Sequence, residues 1–237
     1  KDALEHPRRD LDRIVLPPAS FLHEREKIAE RWPAAVRFIA ERRLNELLPG
    51  ELEHIGIVML GGMTNNVLRG LELLGQADRF GASRVPLYIL NVAYPLVEEE
   101  VVRFCRGKRA VLMVEEGQPA YHEQHLNAIL RRHELPTAVH GKDLLPMGGD
   151  YTVAAILDAI ERFLQRHHPA ALAAAVPVSL PARGAPAAAP LRLPPRPPGF
   201  CVGCPERPIF SALKLVEREL GPHHVSADIG CHLFSIM

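Results

Sequence analysis

Three cysteines near the end of the chain carry its clearest chemistry. Cys201-Val-Gly-Cys204-Pro205 sets two thiols two residues apart, and Cys231 follows in Ser226-Ala-Asp228-Ile-Gly230-Cys231. Two intervening residues let both sulfurs converge on one metal, and a glycine between them relieves the tight loop. Thiolates in such a set suit zinc or an iron–sulfur cluster. The competing reading is small apolar side chains packed at the start of a domain. A thioredoxin-type redox pair fits less well, because Cys-Val-Gly-Cys does not cleanly follow a strand and open a helix. The set supplies three ligands of a four-ligand site, and no fourth lies in this stretch.

Other residues carry weaker signals. Gly61-Gly62-Met-Thr64 after an apolar run could cradle a phosphate at a helix N-terminus, but it lacks both the GxGxxG pattern and a Walker lysine. A close-packed strand-to-helix turn is the preferred reading. Glu115 and Glu116 end an apolar run, and paired carboxylates can do acid–base work. With no partner evident, a structural or interface role is preferred. His122 and His125 lie three apart without the HExxH spacing, which favours a solvated helix face over a shared metal.

The elements that must position these residues follow from periodicity. Residues 21–48 are predicted helical: sign-alternating charges from Arg25 to Arg31 come first. A second helix then starts at Pro33, carries Val36, Ile39, Ala40, Leu44, Leu47 and Leu48, and is closed by Pro49-Gly50. Strands are expected at Ile55–Leu60, Val85–Val92, Ala110–Val114 and Thr137–His140. Helices are expected after Gly62, where Thr64 or Asn65 would cap, and at Glu98–Cys105, Tyr121–Arg132 and Thr152–Leu164. Continuous apolar strands alternating with helices imply an open parallel sheet with helices on both faces, an α/β domain. Residues 167–199 contain nine prolines and ten alanines, a composition expected to form a linker without helix or sheet. Beyond it a helix (Pro208–Leu220) and a strand (His224–Ile229) would bring Cys231 to a strand's carboxyl end, where open α/β sheets place ligands. The organisation expected is therefore a connector with helices (1–50), an α/β domain (51–166), a Pro/Ala-rich linker (167–199) and the truncated start of a second α/β domain (200–237).

Composition narrows the partners. Lys plus Arg and Asp plus Glu each number 28, so the formal charge is zero and there is no basic field for nucleic acid or an anionic membrane. Aromatic residues are only 5%, few for base stacking. No stretch is apolar and long enough to span a bilayer, and no signal-peptide pattern opens the chain. Four unevenly spaced cysteines do not make a disulfide framework, which points to the cytoplasm. A start at Lys1 and an end within the apolar run Ile236-Met237 are expected of a piece of a longer polypeptide.

Phe200-Cys-Val-Gly-Cys-Pro205 followed by Ala227-Asp-Ile-Gly-Cys231-His232 resembles the thiamine-diphosphate-dependent 2-oxoacid:ferredoxin oxidoreductases, and within them the indolepyruvate ferredoxin oxidoreductases. Gly56-Ile-Val-Met-Leu-Gly-Gly62, Asn91-Val-Ala-Tyr94-Pro95-Leu96, Val111-Leu-Met-Val-Glu-Glu116 and His140-Gly-Lys142 are similar to that family's transketolase C-terminal-like domain. The resemblance covers roughly residues 15–165 and 199–237.

It implies that Cys201, Cys204 and Cys231 are three ligands of a [4Fe–4S] cluster whose fourth ligand lies beyond Met237. It also implies that Asp228, Ile229, Gly230, Cys231 and His232 border thiamine diphosphate, with Mg²⁺ held by a motif outside this chain. Glu206 stands where the family more commonly has His. The implied activity is oxidative decarboxylation of an aryl 2-oxoacid, with electrons passing to ferredoxin and the acyl group to coenzyme A. The chain is expected to be inactive alone, to join the remaining domains or subunits of the enzyme, and to form a homo-oligomer. The alternative is a non-catalytic α/β interaction module with a structural zinc site.

Overall fold

The computed structural model describes residues 16–173, 199–225 and 230. These fall into two units, one within Lys1–Leu180 and one within Pro181–Met237.

The first unit is a five-stranded open sheet: β1 (Glu46–Leu48), β2 (Ile55–Leu60), β3 (Leu87–Leu90), β4 (Ala110–Val114) and β5 (Ala138–His140). Their spatial order is β1-β3-β2-β4-β5. β3, β2, β4 and β5 run parallel, in register at Met59↔Ile89, Ile57↔Leu112 and Leu112↔His140. Side chains alternate along each strand, so the sheet divides its apolar residues between two cores. Ile57, Met59, Leu112 and Val114 face one core, and Val58, Tyr88, Val111 and Met113 the other. The first core is covered by α3 (Thr64–Leu73) and α6 (Val153–His167), through Val67, Leu71, Ile156, Ile160 and Phe163. The second is covered by α4 (Glu98–Cys105) and α5 (Tyr121–Arg132), through Val101, Phe104, Leu126 and Ile129. Helices on both faces account for strands that read as continuous apolar runs.

Two expectations change. First, the sheet is mixed, because β1 pairs antiparallel with β3 at its edge. The same residues had been expected to continue the second helix. α1 (Ala19–Glu26), a π-helical stretch at Lys27–Arg31 and α2 (Trp32–Glu41) do form a helical rod. The π turn ends two residues before Pro33, which sits in the first turn of α2, where its missing N–H and its ring disturb the bonding to the turn before it. The rod stops at Glu41, and Arg43 takes a positive φ of 50°. Asn45 then anchors the chain: its amide donates to Glu100 (3.0 Å) and its carbonyl oxygen accepts from Val92 N (3.0 Å). Glu100 also accepts the Tyr88 hydroxyl at 3.0 Å. This buried polar cluster fixes Glu46–Leu48 as a strand.

Second, the α/β unit runs past residue 167. α6 reaches His167 and a short α7 follows at Ala170–Ala173. Ala171 is 2% exposed, and its carbonyl accepts from buried Gln76 at 2.9 Å. Proline begins to dominate only after this turn, so the alanines here remain free to close the core.

The second unit contains α8 (Glu206–Leu220). It starts two residues earlier than expected, at the end of the cysteine turn. His224 and Val225 belong to neither helix nor strand, and the rest of the expected strand lies outside the described residues. Among the described residues no helix is long and apolar enough to cross a membrane.

Candidate functional site

Cys201 and Cys204 form a turn at the head of α8. Cys204 N donates to Cys201 O at 3.1 Å, and Gly203 has φ +76°. That conformation is strained for any residue with a Cβ, which explains glycine in the third position of the turn. Cys201 is exposed and Cys204 half-buried, and neither is in a disulfide. Arg207 donates to Phe200 O at 2.9 Å, and the Phe200 and Phe210 rings stack at 5.5 Å, tying the turn to α8. Of the residues implied as neighbours, only Gly230 is described, and it is exposed. Asp228, Ile229, Cys231 and His232 lie outside the described residues. Among the described residues no group of three or more His, Cys, Asp or Glu could hold a metal. The remaining cysteine is different in kind: Cys105 is buried at the end of α4, and burial pushes its thiol up to about 12, so it is inert at neutral pH.

The first unit gathers its polar residues where the parallel strands end. The chain leaves β2 for β3 on one side and returns to β4 on the other, so the crevice at a topological switch point opens between the carboxyl ends of β2 and β4. On the β2 side, Gly61–Met63 form a single 3₁₀ turn into α3. A Cβ at Gly61 would stand 2.8 Å from Asn91 Oδ1, which supports a close-packed turn. The Thr64 hydroxyl does not cap α3 as expected; it donates to Gly61 O at 2.7 Å inside the turn.

On the β4 side, Glu115 and Glu116 have definite partners. Glu115 is 5% exposed. Its carboxylate accepts the backbone N–H of His122 (3.0 Å) and Glu123 (3.2 Å), satisfying the first turn of α5 and complementing its dipole. His122 Nδ1 lies 2.6 Å from Glu115 Oε1, and His122 Nε2 lies 2.8 Å from Ala93 O. Both ring nitrogens face oxygen acceptors. The ring is therefore held at both ends. His122 is thus no part of a solvated face, and its ring is already committed, so it does not share a metal with His125. His125 is also half-buried, and burial holds its pKa below the usual histidine value, with Arg132 adding to the effect.

Lys142 and Tyr151 complete this edge. The Lys142 ammonium donates to Glu115 O and to the Tyr151 hydroxyl, each at 2.5 Å, and Lys142 N donates to Glu123 Oε2 at 2.9 Å. Tyr151 N donates to Glu116 Oε1 at 2.5 Å, and its hydroxyl donates to Pro146 O at 2.6 Å. Burial lowers the Lys142 pKa against the pull of Glu115, Glu123 and Glu116. Burial, followed by Glu116, Glu115 and Glu123, pushes the Tyr151 phenol up to about 12. Catalysis needs a group poised towards a reactant; here the acid, the imidazole, the amine and the phenol are bonded to one another. The cluster instead ties three strand-to-helix connections together, those after β3, β4 and β5. Tyr151 gave no signal of its own, although it directly precedes Thr152, which caps α6 by accepting from Ala155 N. A residue preceding a cap commonly packs back over the first turn.

An open α/β domain with a closed polar edge, joined in sequence to a cysteine-bearing segment, is the class these features define. No family model matches the chain. The chain is similar to the IorA subunits of indolepyruvate oxidoreductases. It is 28% identical over 234 residues to that subunit of Methanothermobacter marburgensis, which takes in 97% of this chain and 34% of the relative. For the subunit of Methanothermobacter thermautotrophicus the figures are 29% over 234 residues, with the same coverage. For that of Archaeoglobus fulgidus they are 27% over 240 residues, 98% of this chain and 33% of the relative. The chain thus spans about a third of the length of these relatives. Among solved structures, a split-gene transketolase (an inactive beta4 tetramer) aligns with 51% of this chain and 41% of its own, at 18% identity and a TM-score of 0.38.

Proposed function

We propose that this chain is a segment of an IorA-type subunit of an indolepyruvate oxidoreductase, an enzyme that oxidatively decarboxylates an aryl 2-oxoacid. The observation that carries this reading is similarity across 97% of the chain to subunits of that name, with the cysteine turn inside the matched span. In this reading Cys201 and Cys204 supply two thiolates to a [4Fe–4S] cluster, Cys231 a third, and a residue outside this chain the fourth. The described part fits that group as far as it goes: two free thiols sit on one tight turn, held at the head of a helix. The cluster would accept electrons singly, and thiamine diphosphate would supply the carbanion chemistry.

What this chain contributes is placement. Gly203 lets the two thiols turn to the same ligand, and the Phe200–Phe210 stack fixes that turn on α8. Asp228, Ile229, Gly230, Cys231 and His232 would border the diphosphate cofactor. The α/β unit, transketolase C-terminal-like in this reading, packs against the remaining domains and subunits, where Mg²⁺, the substrate pocket, coenzyme A and ferredoxin would be engaged. The assembly would be a cytoplasmic homo-oligomer, and this segment alone would be inactive.

The test uses the full-length protein purified without oxygen, alongside its partner subunit. A broad absorption band near about 400 nm, lost in Cys201→Ser and Cys204→Ser, is the expected result. Indolepyruvate-dependent reduction of a viologen dye should disappear with it. A colourless, zinc-replete protein with no such reduction would sink the reading in favour of a structural zinc module.

A further inference from the structure

The opposite, amino-terminal edge of the sheet holds a cleft that neither the polar cluster nor the cysteine turn uses. It is an open depression of about 610 Å³ between the end of β1, the loop entering β2, Pro86 and the last turn of α4. That volume lies within the range of roughly 300–1,000 Å³ common to small-molecule sites. Leu47, Leu48, Pro86 and Phe104 supply apolar lining. Its rim carries Arg103, Arg106 and Lys108.

Charge at the rim is poorly balanced. Neither Arg103 nor Arg106 has an ion-pair partner among the described residues. Glu53 is the one carboxylate among the lining residues, set against three cations. Nearby Glu51 is engaged by Arg84 at 2.8 Å. Lys108 gives one N–H to Glu53 O at 2.9 Å and lies 5.0 Å from the centre of the Phe104 ring. Burial, with His168, Arg109 and Lys108 nearby, holds the pKa of His54 at the cleft wall below the usual histidine value. Basic residues after a helix complement its dipole, which accounts for some cations here. It does not account for their placement around a hollow with apolar lining.

The hollow is also sculpted by sequence. A Cβ at Gly56 would come within 2.7 Å of the Phe104 ring and 3.1 Å of Lys108 Cε. Phe104 cannot simply swing aside, because Tyr88 packs on it at 5.6 Å. Glycine on β2 thus lets Phe104 and Lys108 pack directly against the strand at the cleft.

We propose that this cleft binds a planar organic anion of the aromatic carboxylate class, with its ring against Leu48, Pro86 and Phe104 and its acid group taken by Arg103 and Arg106. A guanidinium matches a carboxylate bidentately, and an apolar lining selects a flat ring over a bare ion. The site shares no residue with the cysteine turn, so the proposal stands whether or not the enzyme reading does.

The probe is 2-naphthoate, titrated into the 237-residue chain and followed by amide NMR. Saturable binding with a Kd at or below about 1 mM is expected, with shifts centred on Leu48, Gly107 and Lys108. The double variant Arg103→Ser/Arg106→Ser should bind at least about tenfold more weakly, and so should neutral 2-naphthamide on the wild-type chain. Both arginines are exposed, so the variant's fold should match wild type by circular dichroism. Equal affinity for acid and amide, undiminished binding by the variant, or shifts centred on Glu115 and Tyr151 would each overturn the proposal.

Discussion

Glu115 shows how a residue that looks catalytic in sequence becomes structural in the fold. Its carboxylate closes the first turn of α5, holds His122, and through that ring reaches Ala93. Glu115→Ala would leave two N–H groups and His122 Nδ1 without their partner. A loss of about 3 kcal/mol in urea unfolding at pH 7 is expected, with Glu115→Gln milder because it keeps an acceptor. A second prediction concerns His54, His125 and His167. Burial is the first cause of a lowered pKa at each. At His167 the charges of His140, Arg109 and Arg166 add to burial, and Asp143 opposes it. A lowered folded pKa means the unfolded chain binds the proton more readily. Stability from these groups is therefore complete above the unfolded value of about 6.5 and lost as pH falls through the lower folded values. The urea midpoint should drop between about pH 7 and pH 5, and the triple change to Gln should flatten that slope. An unchanged slope would show that other groups set the acid limb.

At the scale of elements, apolar periodicity placed the central strands and their helices well, because strands buried on both faces must be apolar throughout. It failed at Glu46–Leu48, where three residues fit a helix face as readily as a strand. The deciding contacts are remote: Glu100 and Tyr88 are 55 and 12 residues from their partners in the Asn45 cluster. It failed again at Ala170–Ala173, where composition suggested a linker and burial against Gln76 made a helical turn. The tight fit between β2 and α4 is testable. Gly56→Ala should cost about 1–3 kcal/mol, read as a lower urea midpoint, because Phe104 has no room to retreat. A midpoint at or above wild type would show that the Phe104 ring can move.

For the whole molecule, both apolar cores lie between Leu52 and Ala171. A chain ending at Ala173 should unfold with the same midpoint as the full chain. One ending at His168 should lose about 1–3 kcal/mol, because buried Gln76 loses its acceptor at Ala171 O and the Ala171 side chain is absent. Equal stability of the two would remove α7 from the core.

The sequence alone determined the alternation of strand and helix, the position of the cysteine pair and its glycine, and the likeness to a thiamine-dependent oxidoreductase. These rest on local spacing and apolar pattern, which a chain carries wherever it folds. Tertiary structure alone decided that β1 is an antiparallel edge strand, that Glu115, His122, Lys142 and Tyr151 bond to one another, and that an arginine-rimmed hollow opens beneath α4. Each depends on groups distant in sequence meeting at a buried or concave surface, where one hydrogen bond or one missing methyl chooses between alternatives the local pattern leaves equal.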